Sequence, residues 1–399
     1  MKKIIASAVG LMMFGGVAVT GAMAAESQFG GFWRTRFTFD DNLRGATAAT
    51  ALTAADNDTG SNYKTDTRTR LYYTAKFDDH FKFVNKFEFN SSWGDGNGGD
   101  IGADGDTFTV KNSYVDYTMG MVNAKVGIQY GTIARGFLFA DDFSGAIVTA
   151  DFGNVKLPVV YATSFDEEVQ PSDAGDGHLL SVMPSIKVSD ALTLTPHVTY
   201  ATVTQDNADF DETDLYWIGL DVDMKFDAVS AWGTFIYNTG EVDDSDVDAF
   251  LLAAGANAGI VHGQAFYASG DDDVDDDSDA FQSPLGSSYY WSEIMGFGVF
   301  DNAASAGPND NISNVWAANV GVTLKPMDKV VASFDVWYAE LAEDNAFGDD
   351  ELGLEFDAKV TYQLEDNLNL DFIFAYLVAG DATGDDDVME GGVQISLAF

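Results

Sequence analysis

The segment from Leu352 to Leu364 reads L-G-L-E-F-D-A-K-V-T-Y-Q-L, and it decides the fold class. Apolar residues occupy every second position, and polar or small residues such as Glu355, Asp357 and Lys359 stand between them. Side chains of a β-strand point alternately to opposite faces, so this period of two predicts a strand with one apolar face. The run is longer than most strands of water-soluble proteins.

The same alternation recurs along the chain in segments of seven to eleven residues, close to the nine to eleven that a tilted membrane-crossing strand needs. These segments are Phe29–Phe39, Leu71–Phe77, Ala124–Tyr130, Leu180–Val188, Leu192–Tyr200, Tyr216–Phe226, Trp316–Leu324, Ala332–Tyr338 and Leu368–Tyr376. Weaker patterns over Thr107–Tyr117 and Asp246–Gly259 leave the strand count at 18, with 16 as the alternative. Both counts are even, as expected for a barrel whose chain ends lie on one side.

The connections between these segments alternate between short and long. Short links occur at 78–80, 153–154, 190–191, 326–329 and 365–367, and long polar ones at 41–63, 91–106, 166–177, 271–311 and 342–350. Short turns on one side and long loops on the other are typical of an outer-membrane barrel. We therefore predict an all-β protein, a transmembrane antiparallel β-barrel with short periplasmic turns and long extracellular loops.

The first 24 residues have the composition of an export signal. Lys2 and Lys3 precede an apolar stretch, and Ala22-Met23-Ala24 fits the pattern before signal-peptidase cleavage. The expected domains are a signal peptide over 1–24 and one barrel over 25–399, located in the outer membrane of a Gram-negative cell. The formal charge of −44 argues against nucleic acid as a partner, and the absence of cysteine excludes disulfides and thiolate sites.

Several segments resemble the general, trimeric outer-membrane porins of Gram-negative bacteria. They are G-F-W-R-T-R-F-T-F from Gly31, V-G-I-Q-Y-G-T-I-A-R-G-F-L-F-A-D-D-F-S-G-A from Val126, the segment Tyr290–Asn302, and the terminal Phe399. The resemblance implies a homotrimeric channel for passive diffusion of ions and small hydrophilic solutes. It also implies that one extracellular loop folds into the lumen, here the connection Gly131–Gly145.

Charged residues in the alternating segments predict where such a pore narrows. A charged side chain facing the hydrocarbon midplane costs about 2–4 kcal/mol, so charges on these strands should face the lumen. The expected constriction has a basic wall facing the inward loop, which carries two acids. Its candidate residues are Arg34, Arg36, Arg68, Arg70, Lys82, Lys86, Arg135, Asp141 and Asp142. Charged patches of this kind select permeants by charge and size, although the arginines could equally fill the lumen by pairing with Asp66 and Glu88.

The end of the chain resembles the assembly signal of outer-membrane barrels, an alternating strand that closes on an aromatic residue. Its apolar positions are Val393, Ile395, Leu397 and Phe399. Lipid and lipopolysaccharide are expected partners, the latter bridged by Ca²⁺ or Mg²⁺ at acidic loops. The acidic run Asp271–Asp277 lacks the spaced glycine and final glutamate of a calcium loop, so we expect a solvated surface and neither a metal site nor a cofactor.

Other functions remain open at this stage. A substrate-specific outer-membrane channel would have the same strand pattern, and a structural or adhesive barrel without an open pore is a third possibility. No catalytic motif stands in a supporting context, and His197 near Thr195 is the nearest approach to a catalytic pair. We therefore do not expect an enzyme.

Overall fold

The computed structural model describes residues 25–43, 60–94, 108–165, 177–203, 212–243, 245–271, 277–284, 289–300, 312–384 and 386–399. The export signal lies outside these residues, as does most of the acidic run after Asp271. Nineteen strands are numbered in chain order. They are β1 Glu26–Asp41, β2 Ser61–Lys76, β3 Phe81–Ser92, β4 Phe108–Met119, β5 Val122–Ile133, β6 Phe139–Asp151, β7 Val155–Phe165, β8 Gly177–Val182, β9 Ser185–Ser189, β10 Leu192–Val203, β11 Thr213–Phe226, β12 Val229–Val242, β13 Ser245–Ala258, β14 Val261–Ala268, β15 Val315–Met327, β16 Val330–Glu340, β17 Glu351–Glu365, β18 Leu368–Ala379 and β19 Val388–Ala398.

The strands form one closed antiparallel sheet. Apart from β8 and β9, each pairs with its neighbours in the chain, and β1 pairs with β19 in the register Phe32↔Ala398 to Asp41↔Met389. Strands β8 and β9 both pair with β7 and with β10, so together they fill one position in the wall. The barrel therefore has 18 wall positions, which confirms the higher of the two predicted counts.

The division between β8 and β9 corrects the expectation of one strand over Leu180–Val188. The chain leaves strand geometry at Met183 and Pro184. Proline has no amide hydrogen to donate to a neighbouring strand, so it is disfavoured within a ladder. The alternation of apolar residues continues across the break, which explains why periodicity alone did not reveal it.

The two faces of each strand differ as predicted. In β17, Phe356 is 43% exposed on the outside, whereas its neighbour Glu355 is completely buried inside. In β18, Phe372 and Phe374 face outwards and Ile373 faces inwards. An apolar exterior on a closed sheet without edges is the arrangement that spans a lipid bilayer. Among the described residues, no helix has the length and hydropathy of a membrane-spanning segment.

Loop lengths are segregated between the two ends of the barrel. Turns of two to four residues close one end, which also holds the start of β1 and the end of β19; examples lie at 78–80 and 366–367. The long connections lie at the other end, although the links at 134–138 and 243–244 are short. The weakly patterned segments Thr107–Tyr117 and Asp246–Gly259 correspond to β4 and β13.

A hydrophobic core lines the inner faces of β7, β8 and β11 to β19 and leaves out β1 to β4. Trp217, Ile236 and Leu251 on the inner faces of β11 to β13 are fully buried, and Phe137 and Ile294 pack within the same cluster. The last two belong to connecting segments, so parts of two connections lie inside the barrel. The lumen is therefore filled asymmetrically, which leaves the inner faces of β1 to β4 as its charged side.

Candidate pore constriction

A β-hairpin formed by the upper parts of β5 and β6 leaves the barrel wall. The ladder between β4 and β5 ends at Ser113↔Ile128, and the ladder between β6 and β7 ends at Ser144↔Thr163. Strands β5 and β6 nevertheless remain paired with each other as far as Ile133↔Phe139. Residues 129–143, called the lumenal hairpin below, thus pair with each other and fold inwards.

The lumenal hairpin confirms that a connection enters the lumen at Gly131–Gly145, but it differs from a loop. Most of the segment is regular strand, and only residues 134–138 form the turn. Ala134 and Arg135 have φ angles of 49° and 59° in this turn. Left-handed backbone is unfavourable for residues with a side chain by roughly 1–2 kcal/mol each. Contacts of the tip with the far wall must therefore stabilise this conformation.

Arg135 makes those contacts on β11 and β12. Its Nη2 lies 2.9 Å from Asp223 Oδ1, and its Nε lies 3.7 Å from Asp221 Oδ1 and donates to Thr234 Oγ1 at 3.2 Å. Its guanidinium carbon lies 5.2 Å from the ring centroid of Trp232. Arg135, which lies on the inward segment, therefore contacts the side of the barrel away from the basic wall. It holds the hairpin tip against the opposite side of the barrel.

A second connecting segment, residues 289–300, also lies in the lumen and is called the lumenal arm below. The Glu355 carboxylate on β17 accepts hydrogen bonds from the backbone amides of Ile294 (2.7 Å) and Met295 (2.9 Å). Tyr289 stacks on Phe137 of the hairpin tip with ring centroids 3.8 Å apart. The arm and the hairpin therefore support each other.

The arm also holds a buried carboxylic acid of its own. Glu293 accepts hydrogen bonds from the amides of Val299 (2.8 Å) and Phe300 (2.9 Å), which fold the arm back on itself. Burial raises the pKa of Glu293 to about 7, and the nearby Glu355 charge adds to this effect. The arm thus carries a group whose charge changes near neutral pH.

The lumenal arm was not expected from the sequence. The connection 271–311 was assigned wholly to the extracellular side because it is long and rich in aspartate. The signal that could have revealed it is the apolar cluster Trp291, Ile294, Met295 and Phe300 within a polar connection. Large apolar residues in a loop usually pack against another part of the protein or against a partner.

The arginines and lysines of the predicted basic wall lie on the inner faces of β1 to β3. Arg36 is nearly fully buried, its Nη2 lies 3.1 Å from Asp66 Oδ2, and its Nη1 donates to the carbonyl of Val299 at 3.1 Å. Arg34 is buried on the same face of β1. The contact with Val299 joins the basic wall to the lumenal arm.

Arg68 and Arg70 on β2 share the carboxylate of Glu88 on β3. Arg70 Nε donates directly to Glu88, and Arg68 Nε lies 3.7 Å from it and donates to Asn90 Oδ1 at 2.7 Å. The Glu88 side chain is 7% exposed, whereas those of Arg68 and Arg70 are 23% and 27% exposed. The pairing with Asp66 and Glu88 is therefore present, and both β2 guanidinium groups still reach the open lumen.

Lysines extend the basic wall towards the hairpin and the periplasmic end. Lys86 lies over the ring of Tyr72, 5.9 Å from its centroid, and Lys82 Nζ lies 3.1 Å from Asp116 Oδ2. Lys111 on β4, which was not among the predicted residues, lies 2.6 Å from Asp142 Oδ2.

The two predicted hairpin acids have different surroundings. Asp142 Oδ1 accepts a hydrogen bond from Asn112 at 2.8 Å, so this side chain faces β4. Asp141 Oδ1 accepts the amide of Asp142 at 2.6 Å. Asp142 thus forms an ion pair with Lys111, which connects the lumenal hairpin to the basic wall.

Two cavities adjoin this region. One of about 760 Å³ lies at the extracellular end, between the hairpin and the inner faces of β7 to β12, and is lined mainly by apolar side chains that include Phe139, Phe143, Leu215 and Trp217. The other, of about 530 Å³, lies at the periplasmic end beside Lys82. The site thus has an apolar entrance, a basic wall and a polar exit.

A closed 18-stranded barrel with an apolar exterior, a charged interior and an inward hairpin has the architecture of an outer-membrane porin. No protein-family model matches the sequence, and no curated protein matches it.

Solved structures share the fold. Pseudomonas aeruginosa OccK1 (OpdK) is 12% identical with a TM-score of 0.62, over 94% of this chain and 98% of that chain. OpdK from the same organism, solved with vanillate, has a TM-score of 0.61 at the same identity and coverage. Acinetobacter baumannii OccAB2 is also 12% identical, with a TM-score of 0.58 over 95% of this chain and 99% of that chain. At these identities the likeness concerns the fold.

Proposed function

We propose that this protein is a selective outer-membrane channel for small organic anions with an apolar body. The observation that carries the proposal is the basic wall, where Arg68, Arg70 and Lys86 reach the lumen of a strongly acidic protein. Clusters of one charge in a narrow passage select solutes of the opposite charge. The apolar cavity at the extracellular end suits the remainder of such a solute.

The filled half of the barrel favours a selective channel over the general porin inferred from the resemblance. A general porin needs a wide aqueous passage, whereas here the lumenal hairpin, the lumenal arm and the core around Trp217 occupy one side. The similar OpdK structure was solved with vanillate, a small aromatic carboxylate. That ligand has the two properties that the basic wall and the apolar cavity would recognise.

Planar-bilayer recording tests this proposal. We expect benzoate to reduce the ion current saturably, whereas benzyl alcohol, its uncharged relative, should not. At an effective dielectric constant of ~20 and a separation of ~8 Å, one charge contributes about 2 kcal/mol, before partial screening at physiological salt. Replacing both Arg68→Gln and Arg70→Gln should therefore weaken the benzoate block about 10-fold or more.

The matched control is Lys187→Gln, which removes a positive charge at the periplasmic turn, where the Lys187 side chain is 56% exposed. It should leave the block unchanged. Equal effects of benzoate and benzyl alcohol, or an unchanged block in the double arginine variant, would contradict the proposal.

Trimeric assembly and contact with lipopolysaccharide belong to the same proposal. Their support is the resemblance of the sequence segments from Gly31 and Val126 to trimeric porins. Native mass spectrometry in detergent tests the assembly, with a mass of three chains as the expected result. A single-chain mass at all detergent concentrations would speak against the trimer and leave the channel function untouched.

A further inference from the structure

A third lumenal cavity lies on another side of the barrel from the basic wall. The inner faces of β12 to β17 and the lumenal arm enclose about 460 Å³. This volume is within the range of small-molecule pockets. The proposed anion path along the basic wall does not use this cavity, which is called the arm chamber below.

Acidic groups outnumber basic ones in the lining of the arm chamber. Glu293, Asp335 and Asp357 contribute carboxyl groups, and Lys359 and His262 are the titratable bases of the described lining. His262 Nε2 lies 2.8 Å from Asp335 Oδ1. Above the pKa of Glu293, about 7, its carboxylate and that of Asp335 outnumber the ammonium of Lys359, so the field of the chamber favours a cation over an anion.

Aromatic side chains form another part of the lining. The rings of Trp291 and Trp337 meet edge to face with their centroids 5.2 Å apart, and Trp232 stands on the β12 side of the chamber. The guanidinium of Arg135 already lies over the Trp232 ring. Indole faces together with carboxylates are the groups that bind substituted ammonium ions.

Two polar atoms of the lining have no hydrogen-bond partner among the described residues. They are Ser292 Oγ, on a residue that is 3% exposed, and Asp357 Oδ1. Buried polar atoms left without a hydrogen-bond partner are unfavourable. Both atoms can accept hydrogen bonds, and a protonated ammonium offers donors only. A bound cation would therefore supply what the chamber lacks.

We propose that the arm chamber is a solute-binding site for organic ammonium ions, separate from the anion path along the basic wall. The carboxylates hold the positive charge, the indole rings pack against its alkyl substituents, and Ser292 accepts a hydrogen bond where the ammonium carries a proton. A solute need not pass the basic wall to reach equilibrium with this site, so its occupancy can be measured by itself.

Titration of the purified barrel with tetramethylammonium chloride tests the site through tryptophan fluorescence, at constant ionic strength set with sodium chloride. We expect a saturable change, and no comparable change with tert-butanol, which has a similar shape and no charge. Asp335→Asn should raise the dissociation constant about fivefold, since a partly exposed charge pair contributes up to about that factor. Glu293→Gln, measured above pH 7, should act in the same direction, and it serves as the second variant if Asp335→Asn does not fold.

The matched control is Asp371→Asn, which removes an inward-facing carboxylate of β18 outside the chamber. It should change the constant less than twofold. A non-saturable response, an equal response to tert-butanol, or an equal loss in Asp371→Asn would each overturn the site. Benzoate block of the current reports on the basic wall alone, so failure of one proposal is distinguishable from failure of the other.

Discussion

Replacing Arg135→Ala should release the tip of the lumenal hairpin from the far wall of the barrel. The side chain is the main polar contact between the tip and β11 and β12, through Asp221, Asp223 and Thr234. The substitution leaves the left-handed backbone at this position without the contacts that stabilise it. We therefore expect the hairpin to move, while the wall strands keep their pairing.

The size of the effect follows from the burial of the groups. Removing one partner of a buried ion pair is unfavourable by about 3–5 kcal/mol, because the other charge is left unpaired. Here the Asp221 side chain is 11% exposed but that of Asp223 is 54% exposed, so the lower end applies. The contact with Trp232 adds roughly 1 kcal/mol. Packing of the buried Phe137 remains, and a total loss of about 4 kcal/mol should raise the population of the released hairpin about 1,000-fold.

Single-channel recording measures this population as the fraction of time spent in a state of higher conductance. Arg135→Lys should show an intermediate effect, because lysine keeps the positive charge but lacks the planar set of N–H donors of the guanidinium group. Lys156→Ala is the matched control, since it removes a positive charge from an exposed position at the periplasmic end. If Arg135→Ala recordings are indistinguishable from those of the unmodified protein, Arg135 does not hold the hairpin and this reasoning fails.

Three further predictions concern the lumenal arm, the closure of the barrel at the end of the chain, and the orientation of the barrel in the membrane. Between its ordinary pKa and about 7, Glu293 binds a proton in the folded protein that the unfolded chain has lost, so docking of the arm should weaken by about 3 kcal/mol as pH rises through this window. Current noise should grow from pH 5 to pH 8, and Glu293→Gln should abolish this difference. A pH dependence that persists in the variant would contradict the role of Glu293. Deleting Phe399 removes the two backbone hydrogen bonds with Gly31 (2.7 and 3.1 Å). The amount of the protein in the outer membrane should fall, as measured on immunoblots of fractionated cells, and a normal amount would argue against the assembly signal. A cysteine at Asp349 should react with an impermeant maleimide on intact cells and one at Asp366 should not, whereas equal labelling would contradict the assigned orientation.

The barrel wall could be predicted from the sequence because lipid and lumen impose opposite demands on adjacent residues. Phe356 and Glu355 lie next to each other in β17 and face opposite sides, so a period of two carries the information directly. The basic wall was predictable for the same reason, since Arg68 and Arg70 alternate with residues of the outer face. Pro184 interrupted a strand without interrupting the alternation, and the break was therefore missed.

The interior contacts could not be read from local patterns. Arg135 was grouped with the other arginines by charge, but the hairpin carries it to Thr234, 99 positions along the chain. The arm docks on Glu355, which is 61 positions from Ile294. Contacts of this kind depend on how far a segment extends across the lumen, and alternation within a strand holds no information about that distance.

The pairing of β1 with β19 has a consequence for the biogenesis of the protein. Phe32 lies beside Ala398, so the first strand finds its second neighbour only after nearly the whole chain has been synthesised. Joining residues this far apart has a chain-entropy cost of about 5 kcal/mol, and until then both outer strands present unpaired backbone groups. In a bilayer such groups are strongly unfavourable. The unpaired edges of β1 and β19 therefore favour closing of the sheet before or together with its insertion into the bilayer.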